Sequence, residues 1–354
     1  FTTPAMLGGI GDRMMSNVIV EQVENLDWGF AGALSLVLVV ASLAAILIAQ
    51  RFAGAGALLT RSSSSGPARL VTARESWWKS GLDRVADPIW PRLPPVVATL
   101  TMAYLLLPLL IVVPISLSTS SFITWPPTGF SLVWYHTYIA SPRWIDATVN
   151  SVEIALLTTV IALALAIPAA FGLLRSRSPL RPVIFGMMIA PILIPNILTA
   201  VSFLVFFAPL GLYGNPLAVS LGHVIEAAPL ATLVLLATLR NFDPNLERAA
   251  ASLGAGPIRT LFRVTLPVVA AGTVTAGLFA FMHSFNELLI ALFVGGITAT
   301  TLPKRMWESL QDFEPTITAV STLLIAFAVL VFMALRALRA DLTSGRATPN
   351  ADRL

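Results

Sequence analysis

Apolar runs of about 20 residues, the length that crosses a ~30 Å hydrocarbon layer at ~1.5 Å per residue, recur along the whole of this chain. Seven are present: Gly29–Gln50, Pro94–Leu117, Val149–Leu174, Pro182–Tyr213, Leu217–Leu239, Val268–Val294 and Thr316–Leu335. A soluble core has no room for them. Of the 354 residues 56% are hydrophobic and 11% charged, and the mean hydropathy is +0.83; soluble domains hold roughly 45–50% apolar and ~25% charged residues. Lipid offers no partner to backbone N–H and C=O groups, so each run must satisfy its own by forming a helix. The sequence therefore predicts an all-α integral membrane protein.

Lys and Arg set the expected orientation. Of 22 such residues, 18 fall in Arg51–Arg92, Arg175–Arg181, Arg240–Arg263 and Arg336–Arg353, which are alternate loops. Arg13, Arg143, Lys304 and Arg305 lie on the other side. The positive-inside rule makes the first group cytoplasmic, with the N-terminus of this chain outside and its C-terminus inside. A pI near 9.9 is accounted for by these flanking residues, and no nucleic acid is expected as a partner. The absence of Cys excludes a disulfide framework, and the opening residues do not read as a signal peptide.

One order of parts occurs twice. A Gly-Gly turn at Gly8–Gly9, an amphipathic stretch around Met14, Met15 and Val18, and a span introduced by Asp27 and Trp28 match Gly295–Gly296, Met306, Trp307 and Leu310, and a span introduced by Glu314 and Pro315. Residues 1–53 thus read as the tail of a second, related membrane unit, and 94–354 as a full one. Between them residues 54–93 hold SSSSG, several Pro and basic residues, and Trp77–Trp78. This composition predicts a flexible cytoplasmic linker.

The cytoplasmic loop 243–267 has a local design of its own. Asp243 suits an N-cap and Pro244 a first helical position. Leu246, Ala249, Ala250 and Leu253 recur at helical spacing, while Glu247, Arg248 and Ser252 point elsewhere. Gly254 is placed to stop the helix, and Pro257 to begin another that ramps through Ile258, Leu261, Phe262 and Val264 to Leu266 and Pro267. Small side chains let a partner's backbone approach closely, so a docking surface is predicted. An ordinary connector is the alternative.

Acids inside spans are costly, about 2.5–3.5 kcal/mol for Asp on the insertion scale, and usually face a cavity or a partner. Glu287 beside Asn286 and Glu226 near His223 are the substrate-path candidates; Glu153 lies near an outer boundary within reach of water. A His223–Glu226 pair that fixes helix packing is the competing reading. Pro191, Pro195 and Pro229 are expected to break or kink their spans. Lys304–Phe313 reads as a short external amphipathic helix or a solvated connector. Neither Lys79 nor Lys304 stands in a G-x-x-x-x-G-K-[ST] setting, so ATP is not expected to bind here, and the three His residues are too dispersed to suggest a metal site. No cofactor is predicted. A gradient-driven secondary transporter is the other class of reading, and a repeat in one orientation argues against it.

In loop 243–267 the triplet Arg248-Ala249-Ala250, with Gly254 four residues later and Val264-x-Leu266-Pro267 at the end, resembles the EAA loop of ABC importer permeases that work with a binding protein. The triplet's acidic position is Arg248, with Glu247 just before it. FSLVWYHTYI, Asn150–Ser151, APILIPNIL and SFNELLIALFVGG are similar to the spermidine/putrescine branch, in its second permease. FTTPAMLGG and NLDWGFAGALSLVL are similar to the end of that system's first permease, which implies a fusion or a misjoined reading frame. The resemblance implies a MetI-like six-helix transmembrane domain with one extra N-terminal transmembrane helix, in a bacterial inner membrane. It implies polyamine transport driven by a pair of ABC ATPase subunits docked on Glu247, Arg248, Ala249, Ala250, Gly254, Leu266 and Pro267. A homologous permease and an external solute-binding protein are the other implied partners, within membrane lipid.

Overall fold

The computed structural model describes residues 14–25, 29–38, 40–41, 44, 93–312 and 314–344. The linker expected at 54–93, with Trp77 and Trp78, lies outside the described residues, apart from Leu93. Apart from one antiparallel bridge between Ser118 and Phe130, no strand occurs among the described residues. The helices are α1 (Met15–Glu24), α2 (Gly29–Leu38), α3 (Leu93–Ser116), α4 (Val133–Ala140), α5 (Pro142–Arg175), α6 (Arg181–Leu193) and α7 (Asn196–Phe207). They continue with α8 (Pro216–Leu239), α9 (Asn245–Ser252), α10 (Pro257–Val268, with a π turn at Leu261–Thr265), α11 (Ala270–Asn286), α12 (Leu289–Val294), α13 (Leu302–Gln311) and α14 (Thr316–Ser344).

Each predicted apolar run holds helix among its described residues, Gly29–Gln50 being described mainly over Gly29–Leu38, and two runs are broken. α3, α5 and α8 are each long and apolar enough to cross a membrane. The run Pro182–Tyr213 is α6 and α7, bent by 93°. Its corner is Ile194–Pro195: Ile194 is extended at φ −79, ψ 132, as a residue before Pro prefers, and Pro195 has no N–H to continue the ladder. Pro191 and Pro229, also expected to break or kink their spans, do not break them and lie within α6 and α8. The run Val268–Val294 is corrected more substantially. α10 meets α11 at 81° around Val269, and the chain leaves helix again at Glu287 before α12 begins.

The chain divides into two compact units, Phe1–Ser62 with Arg143–Arg305, and Ser63–Pro142 with Met306–Leu354. In the second, α14 packs on α3 and α4. The Ser116 and Tyr135 hydroxyls hydrogen-bond at 2.7 Å, and Trp134 Nε1 donates to the Ser118 carbonyl at 2.9 Å.

In the first unit the core is built on alanine. Ala162, Ala166 and Ala170 of α5, Ala227 and Ala231 of α8, and Ala276 and Ala280 of α11 are all fully buried in one cluster. Each set is spaced by four, so each helix presents one small-residue stripe on which the others close. Glycine extends the close packing: a Cβ on Gly222 would meet Ile290 Cγ2 at 2.6 Å. Near the start of α5, Asn150 Nδ2 donates to the Thr298 and Thr300 carbonyls at 3.3 and 3.1 Å, and Ser151 Oγ accepts from Leu302 N at 2.6 Å. Ile19 and Val20 of α1 pack on Ile197 of α7.

Candidate functional site

The corner at Pro195 and the break at Glu287 open the same space. A cavity of about 690 Å³ is lined by Pro195, Asn196 and Ile197 from the first, and by Met282, His283, Asn286, Glu287, Leu288 and Leu289 around the second, with Leu230 and Phe279. Polar side chains reach it because two helices stop there.

Glu287 is 6% exposed and does structural work. Its Oε1 accepts from Leu289 N at 3.0 Å and its Oε2 from Ile290 N at 2.8 Å, so it satisfies the first free N–H groups of α12. His223 Nε2 lies 3.4 Å from Oε2. His223 Nδ1 in turn shares a 2.7 Å hydrogen bond with Ser284 Oγ, which donates to Thr158 Oγ1 at 3.2 Å. This buried chain links α5, α8 and α11.

Glu226, 4% exposed on α8, stands behind the cavity wall. Asn196 Nδ2 donates to its Oε2 at 3.2 Å, and His283 Nε2 lies 3.3 Å from the same oxygen. Its Oε1 is buried with no hydrogen-bond donor among the described residues. Buried acceptors are nearly always satisfied, so an unfilled one beside a cavity marks a place where a donor can be received. The structure pairs His223 with Glu287 and Glu226 with His283; the His223–Glu226 pair suggested by their spacing is not formed. The sequence reading missed Asn196 and His283. Asn196 directly follows the helix-breaking Pro195, which was the available signal.

The loop 243–267 keeps the expected order of helix, glycine stop and second helix start, although Pro244, not Asp243, occupies the N-cap position of α9, without a side-chain cap bond. Asp243 Oδ1 accepts from Asn245 N at 2.9 Å, and α9 begins at Asn245, slightly later than expected. Gly254 has φ 82, Gly254 N bonds the Ala251 carbonyl at 2.9 Å and Ala255 N the Ala250 carbonyl at 3.0 Å. That pair of bonds is a Schellman stop. Pro257 opens α10, which carries Leu266 and Pro267 up to the bend. Leu253 is 89%, Ile258 73% and Phe262 64% exposed, so the loop displays a row of bare apolar side chains. Arg248 and Ala249 are also exposed, and Arg248 bonds Asn245 Oδ1 at 3.2 Å. Glu247 faces the other way. It pairs with Arg175 at the end of α5 and accepts from Thr265 Oγ1 at 2.7 Å.

Comparison with known proteins bears on both places. The sequence model of the family described as "Binding-protein-dependent transport system inner membrane component" matches residues 159–344, more than half of the chain, including the cavity and the loop. The chain is 32% identical to the putrescine transport system permease protein PotI of Escherichia coli (strain K12) over 239 residues, 65% of this chain and 84% of PotI. It is 31% identical to the trehalose transport system permease protein SugB of Mycobacterium tuberculosis (strain CDC 1551 / Oshkosh) over 260 residues, 71% of this chain and 95% of SugB. A solved bacterial ABC transporter involved in the import of the acidic polysaccharide alginate shares the fold with a TM-score of 0.56 at 15% identity, over 72% of this chain and 97% of that one. The chain belongs to the family of inner membrane components of binding-protein-dependent transport systems, as a multi-pass, all-α permease.

Proposed function

We propose that this permease is one of two related subunits forming the path of an ATP-driven polyamine importer, and that it performs no catalysis itself. ATP is hydrolysed by partner subunits on the cytoplasmic side, the side that holds 18 of the 22 Lys and Arg residues. The exposed Leu253, Ile258 and Phe262 present an apolar surface to such a partner, and depletion of charge at the centre of a patch is what an interface needs. An external binding protein delivers the substrate.

The observation that carries the substrate reading is a pair of buried carboxylates, Glu287 lining the cavity and Glu226 behind its Asn196–His283 wall. Two acids this deep cost several kcal/mol unless something positive compensates them. His223 and His283 approach one oxygen of each, and Glu226 Oε1 keeps its acceptor capacity. An alkylammonium group entering past Asn196 and His283 supplies N–H donors and a positive charge, while the apolar walls Ile197, Leu230 and Phe279 suit a methylene chain. The relation to PotI favours the same substrate class; the relation to SugB makes a sugar the competitor to be tested.

The test is uptake of radiolabelled putrescine and trehalose by vesicles holding the full transporter. Putrescine uptake that falls at least about tenfold in Glu226→Gln, at normal protein level, supports the reading. Trehalose uptake without putrescine uptake refutes it, as does a Glu226→Gln variant that transports putrescine at the wild-type rate.

A further inference from the structure

We infer that Glu247 is an internal strut of the cytoplasmic loop, not a contact for the ATPase, and that it ties the loop to the long helix α5, whose Thr158 joins the hydrogen-bonded chain that ends at Glu287. This rests on the reading of the loop as the element through which the ATPase acts.

Three segments meet at one carboxylate. Glu247 lies on α9, its side chain 20% exposed and turned toward the protein. Arg175, the last residue of α5, pairs with both of its oxygens. Thr265, fully buried at the end of the π turn in α10, donates its hydroxyl to Oε1. The guanidinium is held in turn by the Phe171 ring, 5.0 Å below it, a cation–π contact within the same helix.

A cavity of about 550 Å³ separates α9 from α5, lined by Ile167, Pro168, Phe171, Ala251, Ala255 and Leu261 among others. Side chains facing such a gap forfeit part of their dispersion contacts. The polar clasp at the rim is therefore the direct tie between loop and helix. Helix α5 runs unbroken between the two ends of this connection, with Pro168 inside it: Thr158 stands 17 residues before Arg175, about 25 Å along the helix. Thr158 is the end of the chain through Ser284 and His223 to Glu287. Packed helices and hydrogen-bond networks are the physical carriers of coupling between distant sites. With Glu247 engaged inside, Arg248 of the triplet stays exposed to a partner, as do Arg259 and Arg263.

A charge swap decides it. Arg175→Glu, Glu247→Arg and the double variant are made in the full chain, co-expressed with its partner permease and ATPase. The single variants are expected to lose about tenfold in uptake while the ATPase still co-purifies, and the double variant to recover most of it. A double variant as poor as the singles overturns the strut. So does loss of ATPase co-purification in Glu247→Arg that Arg175→Glu does not repair, since that identifies a direct contact. A second readout needs no partner: chymotrypsin cleavage after the exposed Leu253, a site that no variant alters, should quicken in each single variant in inverted vesicles and slow again in the double. Equal cleavage in all four proteins refutes the clasp. Failure of the wild-type chain to co-purify with an ATPase, with the chymotrypsin pattern as expected, removes the coupling reading on which the transmitted movement depends and leaves the clasp itself standing.

Discussion

Glu287→Gln tests whether the break between α11 and α12 is held by a carboxylate. The native group accepts two backbone N–H bonds, from Leu289 and Ile290, at 6% exposure. A glutamine offers one carbonyl oxygen and one amide. One N–H keeps a neutral acceptor, and the other faces an NH₂ group and is left buried without a partner. An unsatisfied buried donor costs about 1–3 kcal/mol, and replacing a charged acceptor by a neutral one about 1 kcal/mol more. Removing the buried negative charge offsets part of this, because desolvating a carboxylate is itself costly. The net expectation is a loss of about 2 kcal/mol. At ~2–4 °C per kcal/mol for a domain of this size, melting of the detergent-purified protein should fall by ~4–8 °C. Glu287→Ala, which leaves both donors unpaired, should fall further. Uptake per folded molecule, measured on the same preparations, then separates a role in transport from one in holding the corner. A Glu287→Gln protein that melts within about 1 °C of wild type refutes the capping argument.

Two other variants probe the packing and the loop surface. Ala227→Leu places three extra carbons into the fully buried alanine cluster and should cost about 1–3 kcal/mol in a thermal melt, whereas Ala164→Leu, exposed on α5, should melt like wild type. Equal melting of the two would show that the α5–α8–α11 crossing is not close-packed at Ala227. Arg248→Glu changes an exposed side chain whose bond here is to Asn245, so stability should move by less than about 0.5 kcal/mol while substrate-stimulated ATPase activity changes. Wild-type ATPase and uptake rates in that variant would remove Arg248 from the coupling surface.

Particular residues show how far the sequence could be read. Gly254 and Pro257 punctuate the loop as expected, because φ of +82 is open to glycine and a first-turn proline forfeits no bond. Glu247 is the opposite case. Its neighbours on the chain say only that it lies on a helix, while its partners Arg175 and Thr265 are 72 and 18 residues away. The alanine stripes were visible as four-residue spacings, but hydropathy alone treats Ala as a weak apolar residue and passes over its use as a contact surface. Glu287 drew attention as an acid in a span; that it also ends one helix and starts another follows from two N–H groups that only the folded chain places within 3.0 Å.

The apolar runs by themselves determined a helical membrane protein, since runs of this length satisfy their backbone polar groups in lipid by coiling on themselves. The tertiary structure decided what the interior charges do. Which histidine faces which glutamate, which carboxylate oxygen stays open, and which side of the loop turns inward depend on how α5, α7, α8 and α11 cross. Those crossings are set by the volumes of side chains distant in sequence, which no local pattern encodes.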